Sequence, residues 1–246
     1  MPSQLVCRPE RDLPVGVLRV SGTLDRFTGG ALGAAVRRSL SVQPAKVLLD
    51  VTRLDVRDPG ALDGLGAVVC QTEDFPAVPI VVCGADPATR DALAADRDCG
   101  RLEIAEDCDT AIAEAEAQPG TPSIRVRLRP VPEACRQVRH LVSQACTTWQ
   151  HTDVTATATL VATELVANVV RHAHTTMEFT LGLRDGRLIM AVRDRSRVIP
   201  RAMDPSVNDA GGRGLRLVRD LTDTWGVLPV ADGKVVWSQL TTGAAV

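Results

Sequence analysis

Two architectures joined at a break are what the sequence predicts: an α/β layered domain over residues 1–118 and an α+β two-layer sandwich over 124–246, with a linker at 119–123. Three observations carry this. Short apolar runs alternate with amphipathic segments throughout the first half, as in a layered α/β domain. In the second half two long helical segments precede antiparallel strand signals, the order of an α+β domain. Between them "AEAEAQPGTPS" stops a helix-like, alanine-rich segment at Pro119-Gly120, with Pro122 following, and these residues break regular structure.

In the first half "VGVLRVSGTLD" reads as a strand, and "TGGALGAAVRRSLSVQ" as a helix with Leu32, Ala35, Val36 and Leu40 on its apolar side. "KVLLDV" is a buried strand, and "PGALDGLGAVVCQT" a helix with proline in its first turn. "VPIVVCG" and "RLEIA" read as further strands, each followed by a helix, "DPATRDALAA" and "DCDTAIAEAEA". In the second half "SIRVRLRP" alternates as a strand does, and helices are expected over 131–149 and 153–174. Strands follow at "MEFTLGLRD" and "RLIMAVRD", turning at Asp185-Gly186. A stretch rich in proline and glycine then leads to a helix, "RGLRLVRDLTDTW", and a closing hairpin around Asp232-Gly233.

The 246 residues are 45% hydrophobic and 24% charged, enough to bury a core; with three Phe, three Trp and no Tyr that core must be aliphatic. Only Lys46 and Lys234 are lysines. The seven cysteines form no C-x-x-C pair and several sit in apolar runs, which predicts buried free thiols in a reducing compartment. No basic segment followed by an apolar run opens the chain, and no apolar stretch is expected to reach membrane-spanning length, so the expected location is cytoplasmic, away from membranes. The net charge of −2 gives no general pull toward nucleic acid. The halves differ, at −7 for 1–119 and +5 for 120–246, so the second could hold a polyanion such as a nucleotide.

"ATELVANVVRHAH" (162–174) is the most informative stretch. With Thr152 or Asp153 as cap, a helix over 153–174 carries Val154, Ala158, Val161, Leu165 and Val169 on one stripe. Glu164, Asn168 and His172 follow at i, i+4 spacing along its edge, where a side chain meets both a rigid wall and a ligand. "AVRDRS" puts Asp194 at a strand end, and "GGRGLRLVRDL" sets Gly211, Gly212 and Gly214 before a helix, where backbone can approach a phosphate.

E-x-x-x-N-x-x-x-H, then D, then G-x-G-L in this order resembles the GHKL ATPase family, in its anti-sigma regulatory serine-kinase branch, over about 120–246. The resemblance implies a Bergerat-type ATP fold. It implies Mg²⁺ at Asn168, Glu164 as general base, Asp194 accepting from the adenine amino group, and Gly212, Arg213, Gly214 and Leu215 at the phosphate lid. Arg171 and His172 would contact either phosphate or lid. Ser196, also placed at the nucleotide, stands where the family has a glycine, and Val235 where it often has threonine. His140 invites a phospho-histidine reading, but no paired dimerisation helices precede it, which disfavours a two-component sensor kinase.

In the first half, Gly22–Asp25 (G-x-L-D) and Asp58-Pro59-Gly60-Ala61-Leu62 resemble the STAS family of anti-sigma factor antagonists. That family's D-S-S-G-L-like element carries a phosphorylated serine; here Pro59 and Gly60 replace both serines, so the resemblance implies a docking module without its phospho-switch. Together the resemblances imply a bacterial regulator that binds Mg·ATP and acts as anti-sigma factor, or as serine/threonine-protein kinase toward an antagonist with its serines intact. Its partners would be a sigma factor or a STAS-domain antagonist, with no direct nucleic-acid contact and homodimerisation left open. The alternative is a non-enzymatic interaction protein whose ATP site is vestigial or only a clamp.

Overall fold

The computed structural model describes residues 4–71, 78–118, 120–200 and 213–243, with the side chain of Arg213 outside that description. The chain divides into two compact units, Met1–Gly120 and Thr121–Val246.

The first unit holds a five-stranded sheet in the order β1 (Leu5–Arg11), β2 (Gly16–Leu24), β3 (Val47–Val56), β4 (Ile80–Cys83), β5 (Glu103–Ala105). β1 pairs with β2 antiparallel, and the remaining pairs are parallel. Parallel neighbours need crossovers, supplied by α1 (Gly29–Ser41), α2 (Asp63–Gln71) and α3 (Pro87–Ala95). α4 (Cys108–Ala117) closes the unit, setting Ala111 and Ala115 against Val15, Leu48, Val81 and Cys83. The α/β expectation is met, with one strand more than the sequence suggested. β1, "LVCRPER", contains Pro9 flanked by charged residues, and an edge strand is where proline is tolerated.

The G-x-L-D segment has a local mechanical reason. Gly22 sits at φ +102°, and a Cβ there would lie 2.1 Å from the Gln4 carbonyl oxygen, so only glycine lets β1 run so close. Asp25 then takes the Phe27 and Thr28 amides on Oδ1 at 2.9 and 3.2 Å, turning the chain into α1. At Asp58-Pro59, the Asp58 carboxylate accepts from the Gly60 amide at 3.1 Å and Pro59 opens a short 3₁₀ turn leading into α2.

The second unit is a sheet in the order β6 (Ser123–Leu128), β7 (Met177–Arg184), β8 (Arg187–Asp194), β10 (Gly233–Thr241), β9 (Thr224–Val230), all antiparallel. α5 (Glu133–Thr148), α6 (Thr155–Asn168) and α7 (Arg213–Leu221) supply the helical layer. Their shared core joins Val138, Val142, Val161, Leu165, Val169 and Val218 to Phe179, Leu181, Met190, Val192 and Val236 of the sheet. The predicted two-layer sandwich is therefore observed.

Three details differ from the sequence reading. The helix expected over 153–174 is a 3₁₀ turn at Thr152–Val154, then α6, then a π-helical turn at Val169–Ala173 that ends with His174 in the left-handed region. The helix expected through Trp225 stops at Leu221, because Thr224 and Trp225 already belong to β9. The run Thr152–Ala173 is, by length and composition, apolar enough to cross a membrane, against the expectation that no stretch reaches that length. In the fold its stripe Val154, Ala158, Val161, Leu165 and Val169 lies in the domain core.

All seven cysteines are free thiols, with Cys83, Cys99 and Cys146 buried and Cys70 exposed. Burial pushes the Cys83 and Cys99 thiols well above their ordinary range. Since the thiolate is the reactive form, titration of the folded protein with a thiol-specific disulfide reagent at neutral pH should label Cys70 first. Cys83 and Cys99 should react only on unfolding; their early modification would contradict the packing described.

Candidate functional site

α6 is held on one side by the core, and that fixes what its other side presents. Ala158, Val161, Ala162, Leu165 and Val166 are buried. Two of its threonines satisfy their hydroxyls within the helix, Thr159 on the Ala156 carbonyl at 2.9 Å and Thr163 on that of Thr159 at 2.6 Å. Glu164 and Asn168, half-buried, follow four residues apart on the flank. His172 does not continue that row, because the π turn inserts an extra residue per turn between Asn168 and the strand, and it is exposed.

Glu164 meets two of the other predicted residues. Its Oε2 accepts from Arg171 Nη2 at 3.0 Å, and Arg171 Nε also donates to the Ala167 carbonyl. A Cβ on Gly214 would lie 2.5 Å from the same Oε2 and 3.4 Å from Arg171 Nη2, so the start of α7 abuts this ion pair, and a side chain there would require the Glu164 carboxylate to move. Leu215, the next residue, is buried in the core beside Val218; its part is to anchor α7 rather than to face a ligand. Gly212, placed at the lid by the sequence reading, lies outside the described residues, and of Arg213 only the backbone, opening α7, is described.

Asp194 ends β8 and is buried with its side chain sealed from solvent. Opposite it across the ladder stands Lys234, also buried. Lys234 Nζ lies 2.9 Å from each carboxylate oxygen; its directed hydrogen bond goes to Oδ1, and it reaches the Ser196 carbonyl at 3.2 Å. The Ser196 amide closes the turn on Asp194 Oδ1 at 2.7 Å. Oδ2 is left as a buried acceptor without a well-aligned donor among the described residues. Such an atom costs free energy unless a ligand donates to it. Glycine at 233, φ +156°, lets β10 begin against the Asp194 carbonyl, which a Cβ would approach to 2.0 Å.

The two clusters belong to one side of the sheet. Asp194 and Lys234 share the face of Val192 and Val236, which pack under the helices. The Arg195 amide donates to Thr175 Oγ1 at 3.2 Å, tying the end of β8 to the segment that leaves the π turn. Val235 points to the opposite face, across from Arg193, so the hydroxyl expected there would not have faced Asp194. Ser196 uses only its backbone toward Asp194 and Lys234, while its hydroxyl accepts from the Val198 amide at 3.3 Å, so glycine is not required by the turn.

Lys234 is the residue the sequence reading missed. Its signal was present: it is the lone lysine of the second unit, inside the apolar strand "GKVVW" with Asp232 as the nearest charge along the chain. A charge in such a run is buried only with a partner.

The histidine kinase-like ATPase domain model matches residues 128–239. No curated protein matches the chain. Among solved structures, the RsbU and RsbW domains of a Mycobacterium tuberculosis protein share 19% identity at TM-score 0.40, covering 51% of this chain and 34% of that one. The anti-sigma factor antagonist SpoIIAA in its unphosphorylated form shares 14% at TM-score 0.37, covering 48% of this chain and 100% of that one. A serine-to-glutamate variant of RsbS from Moorella thermoacetica shares 15% at TM-score 0.36, covering 47% of this chain and 96% of that one. The second unit thus carries a histidine kinase-like ATPase domain, and this family implies nucleotide binding.

Removing one member of a buried ion pair strands the other charge, at a cost of about 3–5 kcal/mol, whereas neutralising both is often nearly neutral. Lys234→Met should therefore lower the stability of the second unit by about that amount, and Asp194→Asn added to it should recover most of the loss. Thermal or denaturant unfolding of the three proteins measures this; additive losses in the double variant would contradict the pairing.

Proposed function

We propose that the protein binds Mg·ATP in its second unit and works in the bacterial cytoplasm as an anti-sigma-type regulator, transferring phosphate to a serine of a STAS-domain antagonist or sequestering a sigma factor. The observation that carries the reading is the buried carboxylate of Asp194 on the helix-facing side of the sheet, whose Oδ2 lies 2.9 Å from Lys234 Nζ without a directed hydrogen bond, in a domain matched by the ATPase model. A carboxylate oxygen with accepting capacity left fits an exocyclic amino group, which is a donor only. The remaining residues fit the rest of a nucleotide. Asn168, at the C-terminal end of α6, offers the kind of neutral oxygen that Mg²⁺ takes alongside water and phosphate. Gly214, set against the Glu164 carboxylate, presents backbone at the opening of α7, where free N–H groups suit phosphate.

In phosphoryl transfer, positioning and charge neutralisation supply most of the rate, and bound Mg²⁺ contributes the neutralisation. Glu164 acts on the attacking group: its carboxylate takes the proton of a serine hydroxyl or of water. Arg171, 3.0 Å away, orients that carboxylate. The same contact also favours the second reading, an ATP-dependent clamp without turnover, because Oε2 is already engaged by a guanidinium. The first unit fits a docking module. From Asp58 to Gly64 there is no serine or threonine, so this half offers no hydroxyl at the family's switch position.

Two results test the reading. Asn168→Ala should abolish the Mg²⁺ dependence of ATP affinity measured by calorimetry on the full chain; unchanged affinity with and without Mg²⁺ would remove Asn168 from the site. Glu164→Ala should leave ATP affinity within a few-fold and lower phosphate transfer, or slow hydrolysis, by about 10²–10⁴-fold. Tight ATP binding by wild type with no turnover on any serine-bearing STAS acceptor would leave only the clamp.

A further inference from the structure

We infer that Gly214 is a positioning residue for Glu164: the absence of a side chain at the opening of α7 sets where the Glu164 carboxylate sits, apart from anything the α7 backbone does toward phosphate. The inference rests on the reading of Glu164 as the group that takes the proton of the attacking hydroxyl or water.

Backbone conformation gives no reason for glycine at this position. Gly214 is the second residue of α7 and its φ lies outside the left-handed region, so alanine can adopt the same conformation. Within a helix glycine is a cost, since it loses more freedom on folding than alanine does. The reason lies in the space beside it. A Cβ at 214 would stand 2.5 Å from Glu164 Oε2 and 3.5 Å from its carboxylate carbon, while Arg171 Nη2 would lie at an ordinary 3.4 Å. The Glu164 carboxylate therefore occupies the volume that a side chain at 214 would fill.

Two groups border Oε2, and they differ in firmness. Arg171 reaches it at 3.0 Å on a long, half-exposed arm whose Nε donates to the Ala167 carbonyl. Gly214 belongs to a helix anchored in the core through Leu215 and Val218. A guanidinium on such an arm can follow a carboxylate that moves; the backbone of an anchored helix does not. α7 is thus the fixed wall from which Glu164 takes its place. A methyl group on residue 214 would push aside the far end of a flexible side chain, at little expense in stability. It would shift the carboxylate by about 1 Å, and a misplacement of that size in a catalytic group costs about 10²-fold in rate. Gly214 acts through Glu164, and for this role needs no contact with nucleotide.

The test is a double-mutant cycle on the full-length protein: wild type, Gly214→Ala, Glu164→Ala and the pair combined. Three quantities are read: ATP affinity by calorimetry, ATP hydrolysis or transfer to a serine-bearing STAS acceptor, and thermal unfolding without nucleotide. Gly214→Ala should keep ATP affinity within a few-fold and lower turnover by about 10–10²-fold. Added to Glu164→Ala it should lower the residual turnover no further, because nothing is left to displace. It should also raise the unfolding temperature more in that background than in wild type, since the helix gains alanine without a clash. Equal losses of turnover in both backgrounds would overturn the inference. So would a tenfold or larger loss of ATP affinity in both, which would place the effect at phosphate. The unfolding temperatures decide if residual turnover is too slow to measure: equal shifts in the two backgrounds reject the contact. Wild type that binds ATP without turnover would remove the reading of Glu164 as base, and with it the inference, whatever the unfolding temperatures show.

Discussion

The second unit depends on a single packing constraint: one flank of α6 must be buried against the sheet while the other stays polar. Val161, Leu165 and Val169 meet Val192 and Val236 in one core, and that contact sets the rotation of the helix about its axis. Once the rotation is set, Glu164 and Asn168 have only one place to point. α7 is fixed against the same helix through Leu215 and Val218, which brings the Gly214 backbone onto Glu164. The geometry of the site is thus a by-product of aliphatic packing, in a chain with too few aromatics to build its core in another way.

Against this apolar frame stands one costly element, the sealed pair of Asp194 and Lys234. Two charges taken out of water are rarely a gain in stability over apolar residues of the same volume. The turn Asp194–Ser196 is held by one amide and one ammonium.

Much of this was legible in the sequence, for physical reasons. The α6 stripe declares itself by period, and Asp194 by its place at the end of a strand signal. The D-P-G segment declares itself by helix-start chemistry that Asp58 and Pro59 then perform, whereas G-x-L-D stands out only through its resemblance to the STAS family, and the structure supplies its turn through Gly22 and Asp25. What stayed hidden has reasons too. β1 was masked by Pro9 and its charged neighbours, which only an edge strand accepts, and its register shifts between Pro9 and Arg11. The end of α7 was obscured because no glycine or proline separates Leu221 from Thr224. The partnership of Lys234 with Asp194 joins residues 40 positions apart, and no local pattern encodes which charge a strand will place opposite another.

The π turn at Val169–Ala173 carries a consequence for chain length. It closes on an N–H from His174 to the Val169 carbonyl at 2.9 Å, so it holds one residue more than an α turn. Deleting one residue from it would restore a regular helix but swing everything that follows by about 100° around the axis. Thr175 could then no longer meet the Arg195 amide, and β7 would enter the sheet out of phase. Single-residue insertions and deletions, harmless in most connecting segments, are therefore as disruptive here as a change of side chain in the core.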